Sequence, residues 1–343
     1  MANETHGGGG IMFRSIKAAA LADPYDPNAS WDQVVAAAKK EGAVNVYSSA
    51  FGGQYFDDTV AAFTKTYGIK VNKLDARVAE MAQRVEAEQS TGKYVADIQQ
   101  SGPGITEQQH ARGWIENLGK IPNLANLRDD MPKTDYQASC YLQGQAILVN
   151  TDLAKPADVP KSWHDLLDPK WKGKTLEDTP GVFGNSLLNF AAFKKAFEPD
   201  FNQKWSEMQF TYDRDAANDG ARVARGEYLI NPTENVALAL PLKGLPVKLV
   251  VPTEGIPYVD YTCSILRGGP HPNAARVYTD FFLSTEPQVI YANLGQMGVI
   301  KGLADHLQGQ TKEIAEAKLL PTIINAAEQS TVLAEMKAMY KDK

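Results

Sequence analysis

The chain has 343 residues, 43% hydrophobic and 22% charged, the composition of a globular protein with room for two domains. Its net charge of −6 argues against a nucleic-acid partner, which a basic face would serve better. No apolar run approaches the roughly 20 residues that would span a bilayer.

Met1–Gly10 is polar, ends in four glycines and has no apolar segment of the kind an export signal needs. Residues 1–15 are therefore expected to be an added leader and linker, with any native export signal removed. Ser30 then caps a helix carrying Trp31, Val34, Val35 and Ala38, stopped by Gly42. A short strand, Val44–Tyr47, leads through Ser48 and Ser49 into a helix with Phe56, Val60, Phe63 and Tyr67 on one face. The pattern repeats with the strand Ile69–Leu74 and a helix bearing Val78, Met81 and Val85. It repeats again with the strand Val95–Ile98 and a loop from Gln99 to Gly104. Three strand–loop–helix units predict a parallel sheet covered by helices, an α/β fold.

Ala138–Asn150 reads as one long extended segment. Alternation resumes with a strand at 174–177, the loop Asp178–Gly184 and a helix from Asn185. Helical patterns near 200–210 and 215–225 follow, then a strand at 228–230, a helix from Pro232 and a strand at 247–251. Ile256–Leu266 is a second long extended segment. Pro272 opens a helix with Tyr278 and Phe282 on one face, and the tail from Thr311 is helical with a break at Pro321.

The stretch Pro160-Lys-Ser-Trp-His-Asp-Leu-Leu-Asp-Pro-Lys-Trp-Lys-Gly-Lys174 holds a capped short helix, a proline stop and a turn. It resembles the segment that opens the second lobe in solute-binding proteins of bacterial ABC importers, in the branch containing the ferric-iron-binding proteins. Tyr67–Val71, Asn150–Leu153, Gly226-Glu227, Glu254-Gly255, Pro270–Arg276 and Phe281–Ser284 agree in the same order, so the resemblance spans about 30–300.

The resemblance implies a type II periplasmic-binding-protein fold, each lobe a mainly parallel sheet flanked by helices, with two crossing strands as hinge. Residues 30–142 with 262–302 would form lobe 1, 143–261 lobe 2, and 303–343 helices packing on both. It implies a periplasmic monomer that closes on a small solute and delivers it to a membrane permease, with no turnover and no cofactor. It also brings Cys140 and Cys263 close together, so a disulfide competes with two buried thiols.

In open parallel sheets, ligands bind beyond the carboxyl ends of the strands, against helix N-termini. Four loops have that place and composition: Ser48-Ser49, Ser101-Gly102, Phe183-Gly184-Asn185-Ser186 and Asn231 to Thr233. Plain N-capping explains any one of them; together, facing one cleft, they point to a polar anion. Arg77 stands near a helix start, where the dipole disfavours cations, so a bound carboxylate or phosphate would account for it. Arg214 is a weaker candidate of the same kind. Tyr141, Tyr258, Asp260 and Tyr261 lie on the presumed crossings, with alternation setting Tyr258 and Asp260 on the face opposite Tyr261.

The expected ligand is a small organic anion carrying carboxylate, phosphonate or phosphate. Ferric iron is the alternative, but the adjacent tyrosine pair typical of its carriers is missing and neutral hydroxyls suit Fe(III) poorly. No Cys/His cluster suggests another metal. A two-lobed transferase using Cys263 as a covalent attachment point is a third reading. His6, His110, His164, His271 and His306 are scattered, and no nucleophile elbow or P-loop occurs.

Overall fold

The computed structural model describes residues 25–48, 53–102, 104–322 and 325–341. The expected leader and Ser49 lie outside the described residues.

The amino-terminal helix, α1 (Trp31–Glu41), begins in a capping box: Ser30 accepts from the Gln33 backbone and Gln33 reaches back. At its other end Gly42, at φ 70°, donates its N–H to the Ala38 carbonyl. Strands β1 (Ala43–Ser48), β2 (Lys70–Asp75) and β3 (Ile98–Ser101) are parallel, with β1 between the others. Helices α2 (Gln54–Tyr67), α3 (Val78–Thr91) and α4 (Ile105–Ala111) connect and follow them. The third strand starts three residues later than its apolar residues suggest. Gln99, Gln100 and Ser101, expected in a loop, are buried strand residues, and Gln99 Nε2 donates to the side chains of Gln109 and Ser264.

Strand β4 (Ala138–Asn150) leaves this lobe and β9 (Ile256–Ile265) returns to it. They run antiparallel, from Ala138 opposite Cys263 to Gly144 opposite Tyr258. Between the two crossings lie β5 (Leu176–Asp178), α5 (Asn185–Ala196), α6 (Phe201–Ser206), β6 (Thr211–Asp213), α7 (Ala216–Ala224), β7 (Ile230–Asn235), α8 (Val236–Ala239) and β8 (Val247–Val250). The main sheet runs β2-β1-β3-β9-β4-β7, so the crossings sit at its centre and belong to both lobes. After β9 come α9 (Pro272–Phe282), α10 (Thr285–Asn293), α11 (Gly309–Glu316), β10 (Leu319–Pro321) and α12 (Ala326–Met339). The carboxyl-terminal break at Pro321 is thus a strand, β10, laid parallel to β9.

Pro232 does not start a helix. It lies inside β7, where the register against β4 shifts between Ala146 and Leu148, and such an irregularity tolerates a residue without an N–H. Helix α8 begins four residues later, capped by the Asn235 side chain on the Ala237 N–H.

The Pro160–Lys174 stretch forms two 3-10 turns, with Asp165 N–H donating to Ser162 Oγ at 3.0 Å. It locks to the start of the returning crossing. Trp163 Nε1 donates to the Gly255 carbonyl at 2.9 Å, and the Trp163 and His164 N–H groups donate to the Glu254 carboxylate. Gly255 needs to be glycine: it has φ 124°, and a Cβ would sit 2.6 Å from the Lys318 carbonyl oxygen. Trp163, Phe193, Phe201 and Trp205 then pack as the aromatic centre of the second lobe's core.

Candidate functional site

Lobe 1 brings together the carboxyl ends of its three parallel strands. Ser48, the last residue of β1, pairs with Asp75 of β2 on one side and Gln100 of β3 on the other. Ser101 closes β3, fully buried, and its Oγ has no hydrogen-bond partner among the described residues. Gly102 follows, where an added Cβ would come into van der Waals range of the Tyr261 ring and Val78. Arg77 occupies the N-cap position of α3, exposed and without an ion pair among the described residues.

Beside these strand ends the crossings contribute tyrosines that the sequence keeps far apart. Tyr141 and Tyr261 face each other across β4 and β9 with ring centroids 4.8 Å apart and planes at 7°. Tyr291 lies 5.0 Å from Tyr141, and Tyr55 lies 4.8 Å from Tyr291. Burial pushes the phenols of Tyr55 and Tyr261 up to about 12 and those of Tyr141 and Tyr291 well above the usual value. The cluster is therefore held protonated and can donate hydrogen bonds.

Tyr258 and Asp260 do not join it. Asp260 accepts from Ser139 Oγ at 2.7 Å on the opposite face, and burial raises its carboxyl to about 7. Tyr258 lies on that same face, with its backbone carbonyl taken by Thr322 Oγ1 at 2.6 Å.

In lobe 2, one hydrogen-bonded knot gathers the polar residues expected there. The Asp178 N–H donates to Thr233 Oγ1 at 3.1 Å, and Asn231 Oδ1 accepts from the Thr233 N–H at 2.8 Å. Asn185 Nδ2 donates to the Thr233 carbonyl at 3.0 Å, while Gln145 of the outgoing crossing donates to Asn185 Oδ1 at 3.2 Å. Phe183 stands at the edge of this knot, 58% exposed.

Two expectations about donors change. The Asn231–Thr233 segment is strand, so it offers no helix N-terminus. The start of α5 is already occupied: the Asp178 carboxylate accepts from the Thr179 N–H at 3.0 Å and the Ser186 N–H at 3.4 Å. Gly184 lets that carboxylate in, since a Cβ there would collide with Asp178 Oδ2. Burial raises the Asp178 carboxyl, opposed by these N–H groups and by Arg214, which is exposed nearby. Sequence reasoning singled out this loop but not its carboxylate; the only available sign was an acidic residue closing a short strand.

Cys140 and Cys263 are disulfide-bonded, with Cα atoms 5.7 Å apart. Cys263 therefore offers no thiol for covalent attachment. Among the described residues, no group of three or more His, Cys, Asp or Glu could hold a metal ion.

Residues 58–322 match the family described as bacterial extracellular solute-binding protein. A Salmonella typhi protein provisionally named a 2-aminoethylphosphonate-binding periplasmic protein is 27% identical over 256 residues, covering 68% of this chain and 70% of that one. Among solved structures, iron-bound HitA from Pseudomonas aeruginosa superposes with a TM-score of 0.67 at 18% identity, covering 88% of this chain and 98% of that chain. AfuA from Actinobacillus pleuropneumoniae, with fructose-6-phosphate bound, gives 0.66 at 20% identity, covering 88% and 99%. The two lobes, the shared crossings and the family match agree: the chain belongs to the bacterial extracellular solute-binding proteins and has their two-lobed type II fold.

Proposed function

We propose that this protein captures a small organic anion, carrying phosphonate, phosphate or carboxylate, between its lobes and delivers it to the permease of an ABC importer. The observation that carries this reading is Arg77, an exposed guanidinium without an ion pair among the described residues, at the strand ends where open α/β sheets bind ligands. Ser101 Oγ, buried and without a partner among the described residues, is a second group open to a ligand on the same side. The name of the Salmonella relative and the fructose-6-phosphate bound by AfuA support an anion of this class.

On this reading the lobes, 30–142 with 262–302 and 143–261, rotate about the two crossings, and ligand contacts to both favour the closed state. Ser48 and Ser49, Ser101, Gly102 and Arg77 serve from lobe 1, Phe183, Gly184, Asn185 and Thr233 from lobe 2, and Tyr141 and Tyr261 from the base. The protein works as a monomer in the periplasm and binds without turnover.

A thermal-shift panel of phosphonates, sugar phosphates, carboxylates, neutral sugars and ferric citrate tests the reading. At a hundred times Kd a ligand adds about 2.7 kcal/mol, enough to raise Tm by several degrees. Stabilisation by organic anions that Arg77→Ala weakens is the expected result. Stabilisation by ferric citrate alone, with visible tyrosinate–iron colour, would replace the anion with iron.

A further inference from the structure

Four carboxylates stand along the carboxyl-terminal edge of the lobe-2 strands. Asp178 closes β5, Asp213 closes β6, Glu234 is next to last in β7, and Asp219 stands in the first turn of α7. Two of them are answered. Asp178 accepts from the Ser186 N–H at the start of α5, as described above, and Arg222 pairs with Asp213 and with Glu227.

Glu234 and Asp219 are not answered in the same way. Each is 1% exposed. Asn231 Nδ2 donates to Glu234 Oε2 at 2.8 Å, but Glu234 Oε1 has no hydrogen-bond partner among the described residues. Asp219 Oδ1 also lacks one, its nearest cation being Arg222 at 3.9 Å. Gly220 brings α7 against Glu234, since a Cβ there would lie 3.0 Å from both carboxylate oxygens. Burial and then mutual repulsion raise Glu234 to about 8. Burial, with Asp213, Asp178 and Asp215 as like-charged neighbours and Arg222 opposing, raises Asp219 to about 7.

A buried acidic pair with two open acceptor atoms calls for a donor of positive charge. A metal ion does not suit it, because no three candidate ligands converge among the described residues. An ammonium group does: it supplies three N–H donors and needs only two or three acceptors in loose geometry. We propose that Glu234 and Asp219 form an ammonium subsite of the ligand cleft, so that the solute is an aminated organic anion, its amine on lobe 2 and its acidic group on lobe 1. This rests on the anion reading above and names the second half of the same ligand. It also explains why lobe 2, expected to offer anion-binding N–H groups, presents carboxylates instead.

The arriving ammonium favours the ionised pair, so binding at pH 6.5 expels proton to solvent, and affinity rises with pH until both acids are ionised. Isothermal titration of 2-aminoethylphosphonate and ethylphosphonate at pH 6.5, in two buffers of different ionisation enthalpy, tests this directly. The amine should improve affinity roughly tenfold to a hundredfold, the range for a charge-assisted hydrogen bond, and should release protons beyond those that the titrating phosphonate groups themselves give up. Glu234→Gln should remove both effects, so that the variant binds the two probes alike, with Asp219→Asn as the second variant if the first folds poorly. Equal affinities for the two probes, or a preference that survives both variants, overturns the ammonium subsite and leaves the anion reading intact. Binding of neither probe overturns both.

Discussion

Cys140 and Cys263 join the outgoing crossing to the returning one at its lobe-1 end, across 123 residues of chain. Cys140 sits where the β4–β9 register shifts between Ser139 and Tyr141, so it is a bulged residue turned toward Cys263. The loop it closes contains the whole second lobe. In the chain-entropy picture such a closure stabilises by about 4–5 kcal/mol, and often less in practice. Cys140→Ala with Cys263→Ala should therefore lower unfolding free energy by about 2–5 kcal/mol in urea titration. Because the bond lies on the lobe-1 side, ligand affinity at low temperature should change little. A double variant as stable as the parent would show that the bond does not constrain the unfolded chain.

Gly144 marks the middle of the outgoing crossing. A Cβ there would strike Met297 Sδ and come 3.0 Å from Ile256 Cγ2. Its partner across the ladder is Tyr258, and Met297 bridges to Leu142 one turn of the pleat away. Gly144→Ala should cost about 1–3 kcal/mol through overpacking, read as a fall in the urea midpoint with an unchanged slope. An unaffected midpoint would mean that the crossing bends freely enough to absorb a methyl group.

These two sites also show what could be read in advance. The crossings were legible because they are long, apolar and bounded: Ala138–Asn150 is one strand and Ile256–Leu266 is a strand ending at Ile265. Polar strands were harder. Gln99 to Ser101 reads as loop by composition, yet it lies at the sheet centre between β1 and β9, where Gln99 Nε2 finds Gln109 and Ser264 in place of water. Pro232 reads as a helix start, and only the β4–β7 pairing reveals the irregularity that houses it. The candidate site was least legible. Tyr55, Tyr141, Tyr261 and Tyr291 come from four different elements, and Asp178, Asp219 and Glu234 from three. No local spacing encodes such meetings, which arise from tertiary packing alone.

His271 supplies a pH-dependent lock in lobe 1. Its N–H and Nδ1 both engage the fully buried Asp97, at 2.6 and 2.8 Å, where the chain enters α9. The hydrogen bond to Asp97 raises the imidazole above its usual 6.5, against the opposing effect of burial, with added attraction from Asp97 and Glu41. A raised folded value means that protonation favours the folded state. The contribution is complete below about pH 6.5 and is lost as pH climbs through the higher folded value. Urea unfolding between pH 5.5 and 8.5 should show this decline on top of that from the raised Asp219, Glu234 and Asp260 carboxyls, and His271→Gln should make the profile less steep. A slope unchanged in His271→Gln would assign the whole effect to those other groups.

The last prediction separates packing from backbone strain at the lobe-2 site. Gly184 has φ 173°, an extended conformation that any residue adopts, so alanine brings no dihedral penalty. What glycine provides is space, because a Cβ would occupy the position of Asp178 Oδ2. Gly184→Ala must move the Asp178 carboxylate away from the Ser186 N–H, leaving the start of α5 less well capped. The same shift disturbs Asn185 and Thr233, which are tied to Asp178 through Thr233 Oγ1. Losing that cap should cost about 1 kcal/mol of stability. The affinity for an organic anion should change by more than this, since the displaced carboxylate moves at the ligand's edge of the lobe. Gly184→Ala combined with Asp178→Ala relieves the collision and should recover most of the binding lost by Gly184→Ala alone. Equal binding by the single variant and the parent would take Gly184 and Asp178 out of the ligand site.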